Sequence, residues 1–137
     1  MNRIHRFTGL ITLLFITVST FAQQDTDSTV LSLDGAWDII FDHKNEGREG
    51  WWHTDNAFER HPSKQEILVP SCWEEVEIDY EGVAFYRRKF TIPGNWEGKT
   101  VEIEFDAVNY LAEVWINDQV VGFHEGGFTP FKFRVDR

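Results

Sequence analysis

Carboxylates are the side chains of this sequence best suited to chemistry: 23 of its 137 residues are Asp or Glu. Glycoside hydrolysis needs two of them, about 5–5.5 Å apart for retention of configuration or about 6.5–9.5 Å apart for inversion. Position along the chain does not define such a pair. Glu102 and Glu104 sit two apart on one solvent face of a predicted strand, as solubilising charges do. Glu74, Glu75, Glu77 and Asp79 form a charged loop, solvated or hydrogen-bonded to sugar hydroxyls. No catalytic residue is assigned. The five histidines (5, 43, 53, 61 and 124) lack the close ligand pairs of a closed zinc site, and no D-x-D-x-D-G calcium loop occurs, so no metal is expected. P-loop, G-x-G-x-x-G and G-x-S-x-G motifs are absent, which leaves nucleotide, dinucleotide and acyl-transfer chemistry without support and no cofactor expected. Cys72 is the only thiol. With Ser71 and Trp73 as neighbours it reads as a small buried hydrophobe and not as an activated nucleophile.

One run is more structured. In His124-Glu125-Gly126-Gly127-Phe128-Thr129-Pro130-Phe131 two glycines permit a tight reversal and Pro130 fixes the exit. Phe128 and Phe131 are expected to anchor the turn in the core while His124 and Glu125 face outward. A structural turn and a ligand loop both fit.

The elements that must hold these residues are strands. From Leu31 onward, two-residue alternation recurs and no long stretch shows helical spacing, which predicts an all-β domain. The expected strands are 36–41, 66–69, 83–91, 100–105, 112–116, 119–124 and 131–135. Pro70, Pro93-Gly94-Asn95, Asn117-Asp118 and Gly126-Gly127 interrupt them where a ladder must end. Asn117-Asp118 between two alternating runs predicts a tight hairpin. Val101, Ile103 and Phe105 share one face, as do Phe131, Phe133 and Val135, while the charged residues between them face water. Val114 and Ile116 oppose Trp115. Residues 43–63 are polar, contain Trp51-Trp52 and lack periodicity, so they read as a long loop. Many short one-faced strands favour a sandwich or jelly roll over a closed barrel.

Charge and composition exclude other classes. A formal net charge of −10 repels phosphate backbones and anionic lipid, so neither nucleic acid nor a membrane surface is an expected partner. Fifteen per cent aromatic residues, six of them Trp, supply a buryable core that a disordered chain lacks. Arg3 and Arg6 precede an apolar run from Leu10 to Val18 that ends in Ser19-Thr20-Phe21-Ala22. Residues 1–22 therefore read as a secretory signal peptide cleaved near Ala22, which predicts a secreted or periplasmic product with no membrane association after cleavage. Residues 23–30 read as a flexible lead and 31–137 as the β domain.

Six segments in order carry a resemblance: Leu33-Asp34-Gly35-Ala36-Trp37, Val69-Pro70-Ser71-Cys72-Trp73, Tyr80 to Arg88, Phe105 to Val108, Ala112 to Asn117, and the turn from His124 to Phe131. Together they resemble the N-terminal sugar-binding domain of glycoside hydrolase family 2, which includes β-galactosidases, β-glucuronidases and β-mannosidases. Asp118 and Cys72 are small departures from the family pattern. The resemblance implies a jelly-roll β-sandwich of the galactose-binding-domain type, followed in the family by an immunoglobulin-like domain and a TIM barrel that carries the catalytic glutamates. A barrel takes about 250 residues and holds its active site on loops of its own, so the family's catalytic pair has no counterpart here. The family pattern also runs on past Arg137, so the jelly roll is expected to lack its last strands and to expose an unpaired edge.

The function expected is that of the non-catalytic N-terminal domain of a secreted family 2 β-glycosidase, a fragment that is inactive alone and whose carbohydrate substrate is met through the full-length enzyme. The alternatives are a free-standing carbohydrate-binding module, with Trp51, Trp52 or Trp96 stacking on sugar rings, and a non-functional gene remnant. Trp37, Trp73 and Trp115 lie in scaffold motifs, and at least two are expected to be buried. Asp79, His124 and Glu125 are the substrate-contact candidates, chosen as loop residues with polar tips beside aromatic anchors.

Overall fold

The run Trp37-Asp38-Ile39-Ile40-Phe41 becomes the middle of the central strand, because apolar residues stand on both of its faces. The computed structural model describes residues 30–135. The proposed signal peptide, its cleavage point near Ala22 and nearly all of the lead lie outside the described residues. Strand β1 (Gly35–Asp42) is flanked by β2 (Gln65–Val69) and β3 (Val83–Arg87), both antiparallel to it. On one face Ile39, Phe41 and Ile67 pack with Trp37, Trp73, Val76, Tyr80 and Ala84; on the other Ile40 packs with Phe58, Phe85 and Trp52. The ladder places these sets correctly, pairing Trp37 with Ile67, Ile40 with Phe85 and Phe41 with Ala84.

Asp42 ends β1 and closes the chain that follows. Its buried carboxylate accepts the backbone N–H of Glu46 at 2.9 Å and of Gly47 at 2.7 Å, which satisfies a charge that burial would otherwise penalise. Gly47 is required there: a Cβ would lie 2.3 Å from the Phe85 ring. The 43–63 region is thus tightly folded and not a plain loop. It contains helix α1 (Asp55–Glu59), whose Phe58 is 1% exposed and completes the second core cluster. Five helical residues with one inward side chain are too few to show periodicity in sequence. Ion pairs tether the helix from outside. Lys64 and Lys89 meet Glu59, and Arg87 meets Asp55.

The second half is built from two ladders. Strand β4 (Glu102–Phe105) pairs with β7 (Phe131–Arg134), and β5 (Leu111–Ile116) pairs with β6 (Gln119–Glu125), all antiparallel. Asn117 (φ 50°) and Asp118 (φ 64°) both take the left-handed region, the two-residue hairpin geometry that matches strand twist. A register shift beyond Val114 pairs Trp115 with Val120, so β6 carries one extra residue there. Side chains of β6 and β7 meet. The Phe133 ring lies so close to Gly122 that a Cβ would approach within 2.2 Å, and the His124 ring stacks on Phe131 at 4.2 Å and 14°. Phe131 also stacks on Phe105 at 5.0 Å. Glu113 pairs with Arg48 and Trp115 stacks on His53 at 5.1 Å, which ties the hairpin to the segment before α1.

All seven expected strands are present, and the described residues are all-β as expected apart from α1 and two single 3-10 turns. β3 stops at Arg87 instead of reaching 91, because the Arg88 guanidinium takes the Ala36 carbonyl. Charged residues alternate outward along β4 and β7 as read. Four burial expectations are corrected. Cys72 is exposed, since it sits at the turn before Trp73–Glu75 and Trp73 takes the inward position. Trp37, Trp73 and Trp115 are half-buried at the margins of the core, with β1 aliphatics filling its centre. Phe128 is 93% exposed, and the turn is anchored instead by Phe131, whose ring stacks with those of His124 and Phe105. His124 is half-buried against the Phe131 ring and does not face outward. No helix among the described residues is long and apolar enough to cross a membrane.

Two outcomes test this packing. Gly122→Ala should lower the unfolding free energy in urea by about 1–3 kcal/mol through collision with Phe133; a change below about 0.5 kcal/mol would show that the hairpin does not seat there. Hydrogen bonds from Lys89 and then Lys64 hold the Glu59 carboxyl down to about 2. Its folded pKa lies below the unfolded one, so its stabilisation is present above the usual carboxylate range and is lost as pH falls toward 2. Glu59→Gln should flatten that part of the acid unfolding profile, and an unchanged profile would show that the tether does not form.

Candidate functional site

The three contact candidates occupy two separate places. His124 and Glu125 are consecutive near the end of β6, so their side chains point to opposite sides. The His124 ring lies on Phe131, and its Nε2 is 3.1 Å from Thr129 Oγ1, which closes the turn that follows. Glu125 is exposed and accepts the Tyr110 hydroxyl at 2.7 Å. That hydrogen bond, with the carboxylate charge behind it, raises the Tyr110 phenol above its ordinary value. The turn is fixed further by the Gly126 N–H, which donates to the Tyr110 carbonyl at 2.8 Å, and by Gly127, where a Cβ would lie 2.7 Å from Asn109 Oδ1.

Asp79 belongs to a different surface. It takes a left-handed backbone (φ 59°) in the segment that leads to β3 and lines an open cleft of about 710 Å³ with Asp42, His43, Glu77, Tyr80 and Gly82. His43 pairs with Glu77. Tyr80 stands edge-on to Phe41 at 5.0 Å and to Trp73 at 5.6 Å, and its hydroxyl donates to the Val83 carbonyl at 2.8 Å. Burial of the ring pushes the Tyr80 phenol up. Neither His124 nor Glu125 lines this cleft.

Chemically, both places present hydrogen-bond acceptors beside aromatic surface, an arrangement suited to binding hydroxyl-rich ligands. Of the Asp42 and Glu77 carboxylates, the first is spent on backbone N–H groups and the second on His43. No group of three or more His, Cys, Asp or Glu among the described residues could hold a metal ion. Of the stacking candidates, Trp51 is exposed with its ring 5.6 Å from His53, while Trp52 packs on Phe85. Trp96 is half-buried, and its indole N–H has no partner among the described residues. Tyr110 was missed in sequence. It lies 15 residues before Glu125, and only the β5–β6 register joins them.

The described residues thus form an all-β domain apart from one short helix and two 3-10 turns. Residues 76–137 match the family model described as "Glycosyl hydrolases family 2, sugar binding domain". The match to that domain lies in the C-terminal part of the chain, and β-galactosidases and β-glucuronidases align with most of its length. It is 33% identical over 103 residues to a β-galactosidase of Thermoanaerobacter pseudethanolicus, covering 75% of this chain and 12% of that protein. To a β-glucuronidase of Bacteroides fragilis it is 31% identical over 131 residues, covering 93% of this chain and 17% of that protein. The crystal structure of Ruminococcus gnavus β-glucuronidase superposes with a TM-score of 0.68 at 28% identity, over 76% of this chain and 18% of that one. The chain thus spans less than a fifth of each of these relatives, and the shared region places it among their β-sandwich domains.

Replacing Glu125 with Gln removes the charge that holds the Tyr110 proton. The Tyr110 titration should then move down toward the ordinary phenol range, followed by NMR of ring-labelled tyrosine. An unmoved titration would mean that the two groups do not pair in solution.

Proposed function

We propose that this chain is the non-catalytic, sugar-binding N-terminal domain of a secreted or periplasmic family 2 β-glycosidase, exported by residues 1–22 and cleaved near Ala22. The observation that carries the reading is the family 2 match over residues 76–137, supported by β-galactosidase and β-glucuronidase relatives that align with 75% and 93% of the chain. In this reading hydrolysis with retention proceeds on a pair of carboxylates in a C-terminal barrel, about 5–5.5 Å apart. The domain supplies architecture, with Asp79, His124 and Glu125 as its contributions to sugar contact. Glu125 and Asp79 accept hydrogen bonds from sugar hydroxyls, and His124 holds the turn that presents Glu125.

The test is to express the complete reading frame that contains this chain and assay aryl β-glucuronides, β-galactosides and β-mannosides. The expected result is hydrolysis of at least one class with retained anomeric configuration, no hydrolysis by the 137-residue chain alone, and a secreted form that begins at Gln23. Alanine at Asp79 or Glu125 should raise KM more than it lowers kcat. Inactivity of the complete product on all three classes would overturn the reading. Saturable sugar binding by the 137-residue chain, with loss of that binding in Trp51→Ala, would favour the free-standing module instead.

A further inference from the structure

The segment that leads from the Trp73–Glu75 turn to β3 is pinned at both ends and open in the middle. Val76 and Tyr80 pack on the Ile39, Phe41 and Ile67 cluster, and the Tyr80 hydroxyl donates to the Val83 carbonyl. Between these anchors stand Glu77, Ile78 and Asp79, and Ile78 is 81% exposed, so it does not hold the middle down. A polar contact does. His43, 34 residues earlier on the segment that leaves β1, meets Glu77 Oε1 with its Nε2. Its ring is aimed for this contact, standing edge-on to Tyr80 at 5.1 Å and tilted on Phe41 at 6.4 Å. Both partners remain in reach of water, with 58% and 30% of their side-chain surface exposed.

We propose that His43 and Glu77 form a pH-operated latch on the strap 76–80, closed in mild acid and loosened in mild base. Histidine is the side chain that changes charge between about pH 5 and pH 8. A protonated His43 meets Glu77 as a charge-assisted pair, whereas a neutral ring offers the carboxylate a weaker hydrogen bond or none. The added attraction is therefore present in mild acid, where the ring is charged and Glu77 is still ionised, and is lost as pH rises. The other titratable groups on the cleft do not take over this role. Asp42 is held by the Glu46 and Gly47 N–H groups, the Tyr80 hydroxyl is engaged with Val83, and Asp79 and Glu81 line the cleft on the strap side. Lys44 follows His43 in the chain, but among the described residues no Lys or Arg lines the cleft. Asp79 lies two residues from Glu77, so the latch fixes where Asp79 stands. If Asp79 contacts sugar, that contact is then better ordered in acid, and this consequence alone rests on the functional reading above.

Amide hydrogen exchange of the 137-residue chain at about pH 5.5 and about pH 8, corrected for intrinsic rates, tests the latch. Residues 76–80 should be about two- to fivefold better protected at the lower pH, the range an exposed ion pair can supply, relative to β1 in the same sample. His43→Lys keeps a cation at both pH values and should hold the strap at its acid level throughout. Glu77→Gln should hold it at its base level throughout. A variant that fails to fold is recognised by lost protection of β1, and the wild-type comparison then decides. Equal protection of 76–80 at the two pH values in the wild type, or a pH dependence that survives in Glu77→Gln, overturns the proposal. Because no sugar is present, that failure leaves the functional reading standing. A complete product inactive on every β-glycoside defeats the functional reading and leaves the latch.

Discussion

Burial of β1 on both faces is the constraint on which the first half of the domain depends. A strand with one packed face needs one covering layer; Ile39 and Phe41 on one side and Ile40 and Asp42 on the other demand two. The layers are irregular segments, Trp73 to Tyr80 on one face and Trp52 to Phe58 on the other. This explains why the chain between strands is held so closely. Asp42 sits where β1 leaves the sheet, and its two bonds to backbone N–H groups start the fold of the segment that carries Phe58 back over Ile40. The exposed ion pairs around α1 are the weaker part of the attachment. A surface pair is worth about 0–1 kcal/mol, whereas burying a Phe side chain is worth about 1.5–3 kcal/mol. Phe58 therefore seats the helix, and Lys64, Lys89 and Arg87 set its orientation.

The hairpin half solves a different problem with less burial. Only Val114 there is buried among the described residues, and the contact between β6 and β7 is made by Phe133 against Gly122 and by the rings of His124 and Phe131. Gly122 leaves room for Phe133, and the flat face of His124 covers Phe131. His124 thus acts as an aromatic spacer with a polar tip, which it uses on Thr129. That assignment divides the labour between two consecutive residues. The inward one fixes the turn, and the outward one, Glu125, is left free to meet solvent and Tyr110.

Much of this was legible in the sequence where local pattern alone decides the outcome. Alternation of Val101, Ile103 and Phe105 with acidic residues marks β4, and Asn117-Asp118 marks the hairpin turn, because each depends on strand period or backbone preference. Phe58 was not legible, since a five-residue helix shows no period and its burial depends on Ile40 being available from β1. Cys72 and Phe128 were misread for a related reason. Both are apolar residues beside a turn, and whether such a residue goes in or out is decided by which neighbour fills the space first: Trp73 in one case, His124 and Phe105 around Phe131 in the other. The pairing of Tyr110 with Glu125 is set by cross-strand register, which no local window contains.

The two halves differ in how fully their apolar side chains are buried. Ile39, Ile40 and Phe41 of β1 are buried on both faces, although Leu68 on β2 and Val83 and Tyr86 on β3 stay exposed. Around β5 and β6 the inner face is covered by β7, but the outer face is covered only where Arg48 and His53 reach Glu113 and Trp115. Beyond that point Leu111, Phe123 and Phe128 are exposed. A scattered exposed Leu or Phe carries no message in a soluble protein. The position of the β6–β7 turn, with Glu125 on one side of it and Phe128 exposed at its tip, traces to the bonds that tie Gly126, His124 and Tyr110 together.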